Sequence, residues 1–190
     1  MVNEEGSIEY NIIRSRRKTI SIEITKDAKL LVRAPMRTPK YEIDDFVRRN
    51  QKWIDDHMKK VMSDKETVDL YGRLTPNELS ALGILAEAAI PPKVQYYAEI
   101  LGVTYGRISI RQQRTLWGSC NAEGDLSFNC LLMKVPEPVM DYVIVHELCH
   151  RIEMNHSARF WKNVEKVMPD YKIHRKWLRE EGSFYIMSME

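Results

Sequence analysis

The spacing of three histidines constrains this chain more than any other feature: His146-Glu147-Leu148-Cys149-His150 is followed by His156. Residues four apart on an α-helix are rotated by only about 40° around its axis, so His146 and His150 project from one face and can converge on one cation. Glu147 lies beside them. On a continuing helix His156 would sit about 9 Å further along the axis than His150, whereas imidazoles bind zinc at about 2.0–2.1 Å. If all three share one ion, the helix must stop after His150 and turn back. Met154-Asn155 is the expected corner, because asparagine tolerates left-handed backbone angles, and Ser157 is then placed to cap a new helix.

The chemistry follows from the ligand count. Structural zinc sites usually hold four protein ligands, often thiolates; three histidines leave one position open for water. Zinc lowers the pKa of such water to about 7, and Glu147 is placed to take its proton. The pattern therefore predicts a Zn2+-dependent hydrolase with His146, His150 and His156 as metal ligands and Glu147 as the catalytic base. Should His156 not serve, Glu165 or Glu180 on the following helices would complete a His₂Glu set. Another divalent ion in the same ligands stays open. Cys149 stands three residues from His146 but only one from His150, and reads as a buried helical cysteine.

Together with these residues, Trp117-Gly118-Ser119-Cys120, Tyr142-Val143-Ile144-Val145, Met154-Asn155-His156-Ser157 and Phe160-Trp161 resemble the YgjP-like metallopeptidase family. Arg14-Ser15, Val32-Arg33-Ala34-Pro35, Trp53-Ile54 and Pro169-Asp170-Tyr171 follow the family's order, so the likeness runs from about Arg14 to Glu181. It implies a zincin-like peptidase, distantly similar to SprT-like and Wss-type proteases, with the three histidines on zinc and Glu147 as base. The chain departs from that family at Leu116, where a basic residue is usual, and it lacks the glycine that metzincins carry at the position of Glu153. The implied partner is a peptide or protein substrate. Two other classes compete: a non-catalytic, zinc-stabilised module binding protein or nucleic acid, and a zinc amidohydrolase acting on a small molecule.

Composition narrows the setting. A 190-residue chain with 44% hydrophobic and 29% charged residues can bury a substantial core. A net charge of +2 does not indicate nucleic-acid binding, although local clusters such as Arg14-Ser15-Arg16-Arg17-Lys18 leave it open; that cluster reads as a solvated hairpin turn. Met1–Gly6 lacks the basic start and apolar core of a signal peptide, and no apolar run approaches a membrane span. Three cysteines without scaffold or CxxC spacing fit a reducing compartment, so a cytoplasmic location is expected.

Along the chain, residues 10–14, 19–24 and 30–33 are short β-branched runs expected to form an antiparallel meander. Thr38-Pro39 opens a helix carrying Ile43, Phe46, Val47, Trp53, Ile54 and Met58 at helical spacing, with Trp53 in the core. Polar, aperiodic 63–73 reads as a linker. Thr75-Pro76-Asn77-Glu78 is a capping box, Pro91-Pro92 should kink or end its helix, and Gly102 should terminate the next. Strands at 107–111, 115–120 and 126–129, the last two flanking a turn at 122–125, precede the histidine helix. Val143-Ile144-Val145 suits an active-site helix buried on one side. Two further helices, 157–168 and 171–181, follow, the first with an apolar stripe of Phe160, Trp161, Val164 and Val167. The expectation is an α+β fold, a zincin-like domain over 73–190 with an active-site helix and a small antiparallel sheet, plus an amino-terminal β-rich lobe over 1–72.

Substrate contacts are expected at Trp117, Gly118 and Ser119. A peptide can add as a strand to a sheet edge through backbone hydrogen bonds; glycine permits close approach, tryptophan can wall a pocket and serine can orient a carbonyl. A tightly packed strand with a buried tryptophan is the equal alternative. Tyr171 and His174, downstream of the third histidine, are the candidates for stabilising an oxyanion.

Overall fold

The computed structural model describes residues 9–189, so the reading of Met1–Gly6 lies outside the described residues. The fold is α+β, in two compact units, Met1–Tyr71 and Gly72–Glu190.

The first unit holds β1 (Asn11–Ser15), β2 (Ser21–Ile24), β3 (Leu30–Pro35), α1 (Lys40–Arg49) and α2 (Gln51–Tyr71). Its strands are not a meander: the order is β1-β3-β2, with β1 parallel and β2 antiparallel to β3. The strand with the best period-two burial takes the centre, since Leu30, Val32 and Ala34 are buried on one face, whereas β1 is mostly exposed and forms an edge. Arg14-Ser15-Arg16-Arg17-Lys18 therefore leads out of an edge strand and is no hairpin turn. The Arg14 guanidinium donates to the carbonyls of Pro35, Met36 and Thr38.

Ile43, Val47 and Ile54 cover the buried face of β3. Thr38 does not cap α1, whose N-cap is Pro39. Trp53 is 41% exposed and stacks on His57, because Ile54, about 100° further round the helix, takes the inward position. The expected linker after Ser63 is helix instead. Buried Asp64 interrupts the apolar stripe in sequence, yet its carboxylate pairs with Lys60 one turn back, and Val68 returns to the buried side.

The second unit begins with α3 (Pro76–Leu101), opened by the Thr75/Glu78 capping box and closed by left-handed Gly102 at φ 66°. Pro91-Pro92 does not end this helix. Ala86, Ile90, Val94 and Ala98 are buried at four-residue intervals, and that packing carries the helix through the missing N–H groups. The second sheet is mixed rather than antiparallel: β4 (Ile108–Arg111), β5 (Gly118–Cys120) and β6 (Leu126–Asn129) lie in the order β4-β6-β5, with β4 parallel and β5 antiparallel to β6. Again the most buried strand is central, and β5 is left as an edge. After a 3₁₀ turn at Cys130–Lys134 come α4 (Glu137–Cys149), α5 (Ala158–Val167) and α6 (Tyr171–Met187). Helix α4 is buried nearly all round, from Val139 to Cys149, not on one side only.

Candidate metal centre

Helix α4 delivers His146 and Glu147 from its last turn and ends with His150 at its C-cap. The chain then turns sharply, with the N–H groups of Arg151, Ile152 and Glu153 returning to the carbonyls of Leu148 and Cys149. The corner is not left-handed at Met154-Asn155, since Ala28 is the one non-glycine described residue with positive φ. Asn155 turns the chain through its side chain instead: its Oδ1 accepts from the Ser157 N–H at 3.1 Å. Ser157 Oγ then accepts from the Phe160 N–H at 3.3 Å and starts α5.

This reversal brings three imidazoles together. Their donor nitrogens all lie within 4.8 Å of one another, and Nε2 of His146 is 2.9 Å from Nε2 of His156. Tetrahedral ligands at about 2.0–2.1 Å from zinc would stand about 3.3 Å apart, so the cluster needs only small adjustments to close on an ion. His150 Nδ1 lies 3.2 Å from the Glu153 carbonyl. A carbonyl only accepts, so Nδ1 carries the proton and Nε2 keeps its lone pair for a metal. Phe160, fully buried, forms the floor, with its ring centroid 4.9, 4.6 and 4.8 Å from those of His146, His150 and His156. Burial, reinforced by repulsion from the other two histidines and Arg175, lowers the His146 pKa to about 3. Burial likewise lowers that of His150. Neutral imidazoles are the form that binds metal, and nitrogen donors suit zinc.

Glu147 is buried, and burial pushes its pKa up to about 8. Its nearest constraint is Gly118: a Cβ there would lie 2.8 Å from Glu147 Cγ and 2.9 Å from Oε1. The absent side chain of Gly118 is thus the space in which the carboxylate lies. Strand β5 is held by Asn129, itself fully buried. Asn129 Nδ2 donates to the carbonyls of Gln113 and Leu116 at 2.7 and 2.9 Å, and its Oδ1 accepts from the Leu131 N–H. That staple fixes the loop leading into Trp117 and Gly118.

The other sequence candidates scatter. Trp117 packs its indole against Gly182 of α6, where an added Cβ would be 3.2 Å away. Ser119 sits half-buried on β5 opposite Ser127. Tyr171 is buried and stacks on Trp161, and His174 lies 3.2 Å from the Asp170 carboxylate. Glu165 pairs with Lys172, and Glu180 with Lys176 and Arg179; neither joins the histidine cluster. Cys149 is fully buried, with its thiol pushed up to about 12 by burial. Phe160, Asn129 and Arg175 were missed as site-forming residues. Phe160 carried a signal, standing four residues after His156 at the start of a helix; the other two carried none in sequence.

Among the described residues no helix is long and apolar enough to cross a membrane. No curated protein matches the chain. Two solved structures are similar in part. The metallopeptidase zymogen abylysin of Pyrococcus abyssi is 23% identical, with 48% of this chain and 93% of that chain covered and a TM-score of 0.43. The metallopeptidase zymogen jannalysin of Methanocaldococcus jannaschii is 21% identical, with 47% and 91% covered and a TM-score of 0.42. The YgjP-like metallopeptidase domain matches residues 18–78 and 80–181, reaching across both units. On that match over most of its length, the chain belongs to the YgjP-like metallopeptidase family.

Proposed function

We propose that this metallopeptidase hydrolyses peptide bonds with Zn2+ held by His146, His150 and His156 and with Glu147 as the acid–base residue. The observation that carries the reading is the convergence of three imidazole nitrogens within 4.8 Å beside a buried glutamate. When bound, zinc supplies Lewis-acid activation of water and of the scissile carbonyl.

The chain's own residues do the rest. His150, oriented through the Glu153 carbonyl, presents Nε2, and the Phe160 ring keeps the three imidazoles in register. Glu147, confined by Gly118, accepts the proton of the attacking water and returns it to the leaving amine. The edge strand β5 leaves the Gly118 backbone for a peptide laid alongside as an added strand, with Trp117 and Ser119, whose backbones are turned to β6, flanking it. Free thiols at Cys120, Cys130 and Cys149 suit work in a reducing cytoplasm.

The test is a substrate screen of purified protein against denatured proteins and short amides, with zinc content measured in parallel. Cleavage of peptides that a chelator removes and zinc restores is expected. Glu147→Gln should keep its zinc and lose hydrolysis. Turnover retained in that variant would remove the base assignment, and turnover confined to small amides would move the substrate to another class.

A further inference from the structure

Along α6 the basic side chains are paired with acids, with one exception. Lys172 meets Glu165, His174 meets Asp170, and Lys176 and Arg179 both meet Glu180. Arg175 has no carboxylate partner among the described residues, and it is exposed. It is not an idle surface charge, because its guanidinium carbon stands 4.3 Å from the centroid of the Trp161 ring. A cation over an indole is held in place by the ring's quadrupole while its N–H groups stay free to donate. Trp161 is in turn part of the histidine cluster, with its ring 5.7 Å from both His146 and His156.

A guanidinium held over an indole, without a carboxylate partner among the described residues and one aromatic ring away from the histidine cluster, is chemically suited to receive a carboxylate. The planar fork donates to both oxygens of a carboxylate, and such a charge-assisted pair is about twice as strong as a neutral hydrogen bond. We propose that Arg175, seated on Trp161, is a specificity-determining residue that binds a carboxylate of the peptide substrate near the scissile bond. This rests on the peptidase reading of the same site. An extended peptide advances about 3.3–3.6 Å per residue, and at most 4.3 Å to the indole and 5.7 Å beyond it separate the guanidinium from two of the imidazoles, so the carboxylate belongs on a residue within about three of the cleaved bond. Two sources have this chemistry: an Asp or Glu side chain, or the α-carboxylate of the peptide's last residue.

The experiment uses matched peptide pairs. One pair carries glutamate or glutamine near the cleavage site, and the other ends in a free acid or an amide. Steady-state cleavage is measured with zinc-loaded wild-type protein, and equilibrium binding with zinc-loaded Glu147→Gln protein, each with and without Arg175→Gln. The expected result is a preference of about tenfold or more for the carboxylate member of one pair, collapsing towards one in Arg175→Gln. The pair that shows it identifies the source. Arg175→Lys should restore the preference only in part, because the charge returns without the fork. A merely structural role would weaken both members of a pair alike and leave the ratio intact. A wild-type ratio near one in both pairs, or a ratio unmoved by Arg175→Gln, overturns the proposal. If Arg175→Gln fails to fold, the ratio in Arg175→Lys and its decline with salt in the wild type decide instead. Absence of cleavage of every peptide by wild type would defeat the peptidase reading, while the binding arm would still decide the role of Arg175.

Discussion

Gly118→Ala probes the contact that sets the glutamate. The strand backbone accepts alanine, since Gly118 is not left-handed, so the effect of the new methyl falls on what lies above it. That methyl would stand 2.8 Å from Glu147 Cγ and 2.9 Å from Oε1, where ordinary contact begins at 3.4 Å. The carboxylate arm must therefore move by about 0.5–1 Å. Displacements of that size at a reacting group cost on the order of 100-fold in rate. Folding should suffer much less. Overpacking costs about 1–3 kcal/mol, offset by about 0.4–1 kcal/mol from the stiffer unfolded chain, and the atoms that yield are the end of one side chain. The assay is kcat/KM on a cleaved peptide, with zinc stoichiometry and Tm measured on the same preparation. The expected outcome is a 10- to 100-fold fall in kcat with zinc retained. Activity within twofold of wild type would show that Gly118 does not position Glu147, and loss of zinc would show that the methyl acts on the imidazoles instead.

Three further outcomes are expected. His150→Ala should lose zinc, as metal analysis after dialysis will show; full stoichiometry would remove that ligand from the proposed set. Asn129→Ala strands the carbonyls of Gln113 and Leu116 and the N–H of Leu131, so urea unfolding should report a loss of about 2–4 kcal/mol, and activity should fall because β5 loosens. In the first unit, burial and a hydrogen bond to Asp44 push the Tyr10 pKa up to about 12. A raised pKa stabilises the fold fully below the ordinary value near 10, and that contribution disappears as pH climbs through 12. Stability measured across that window should fall less steeply in Tyr10→Phe, and parallel curves would contradict the assignment.

Much of the site was legible because its rules are local. Helical geometry places His146 and His150 on one face, the impossibility of a straight helix demands a turn before His156, and Ser157 announces the next helix start; each acts within a few residues. Cap chemistry similarly marked α3, through Thr75, Glu78 and Gly102. Local rules failed where packing overrode them. Pro91-Pro92 did not end α3, and Asp64 disguised the continuation of α2, because burial of neighbours one turn away outweighed the local signal. Strand neighbours were also illegible: period-two patterns reveal that a strand exists, not which strand it joins.

Sequence by itself thus determined the histidine cluster and the helix, turn and helix that assemble it, since a 3.6-residue period and short-range caps are properties of neighbouring residues. Only the tertiary structure decided that β3 and β6 are central, that Gly118 makes room for Glu147, and that Trp161 carries Arg175 beside the histidines. Gly118 and Glu147 lie far apart along the chain, and contacts of that kind are set by which buried surfaces fit together, for which no short pattern of residue types exists.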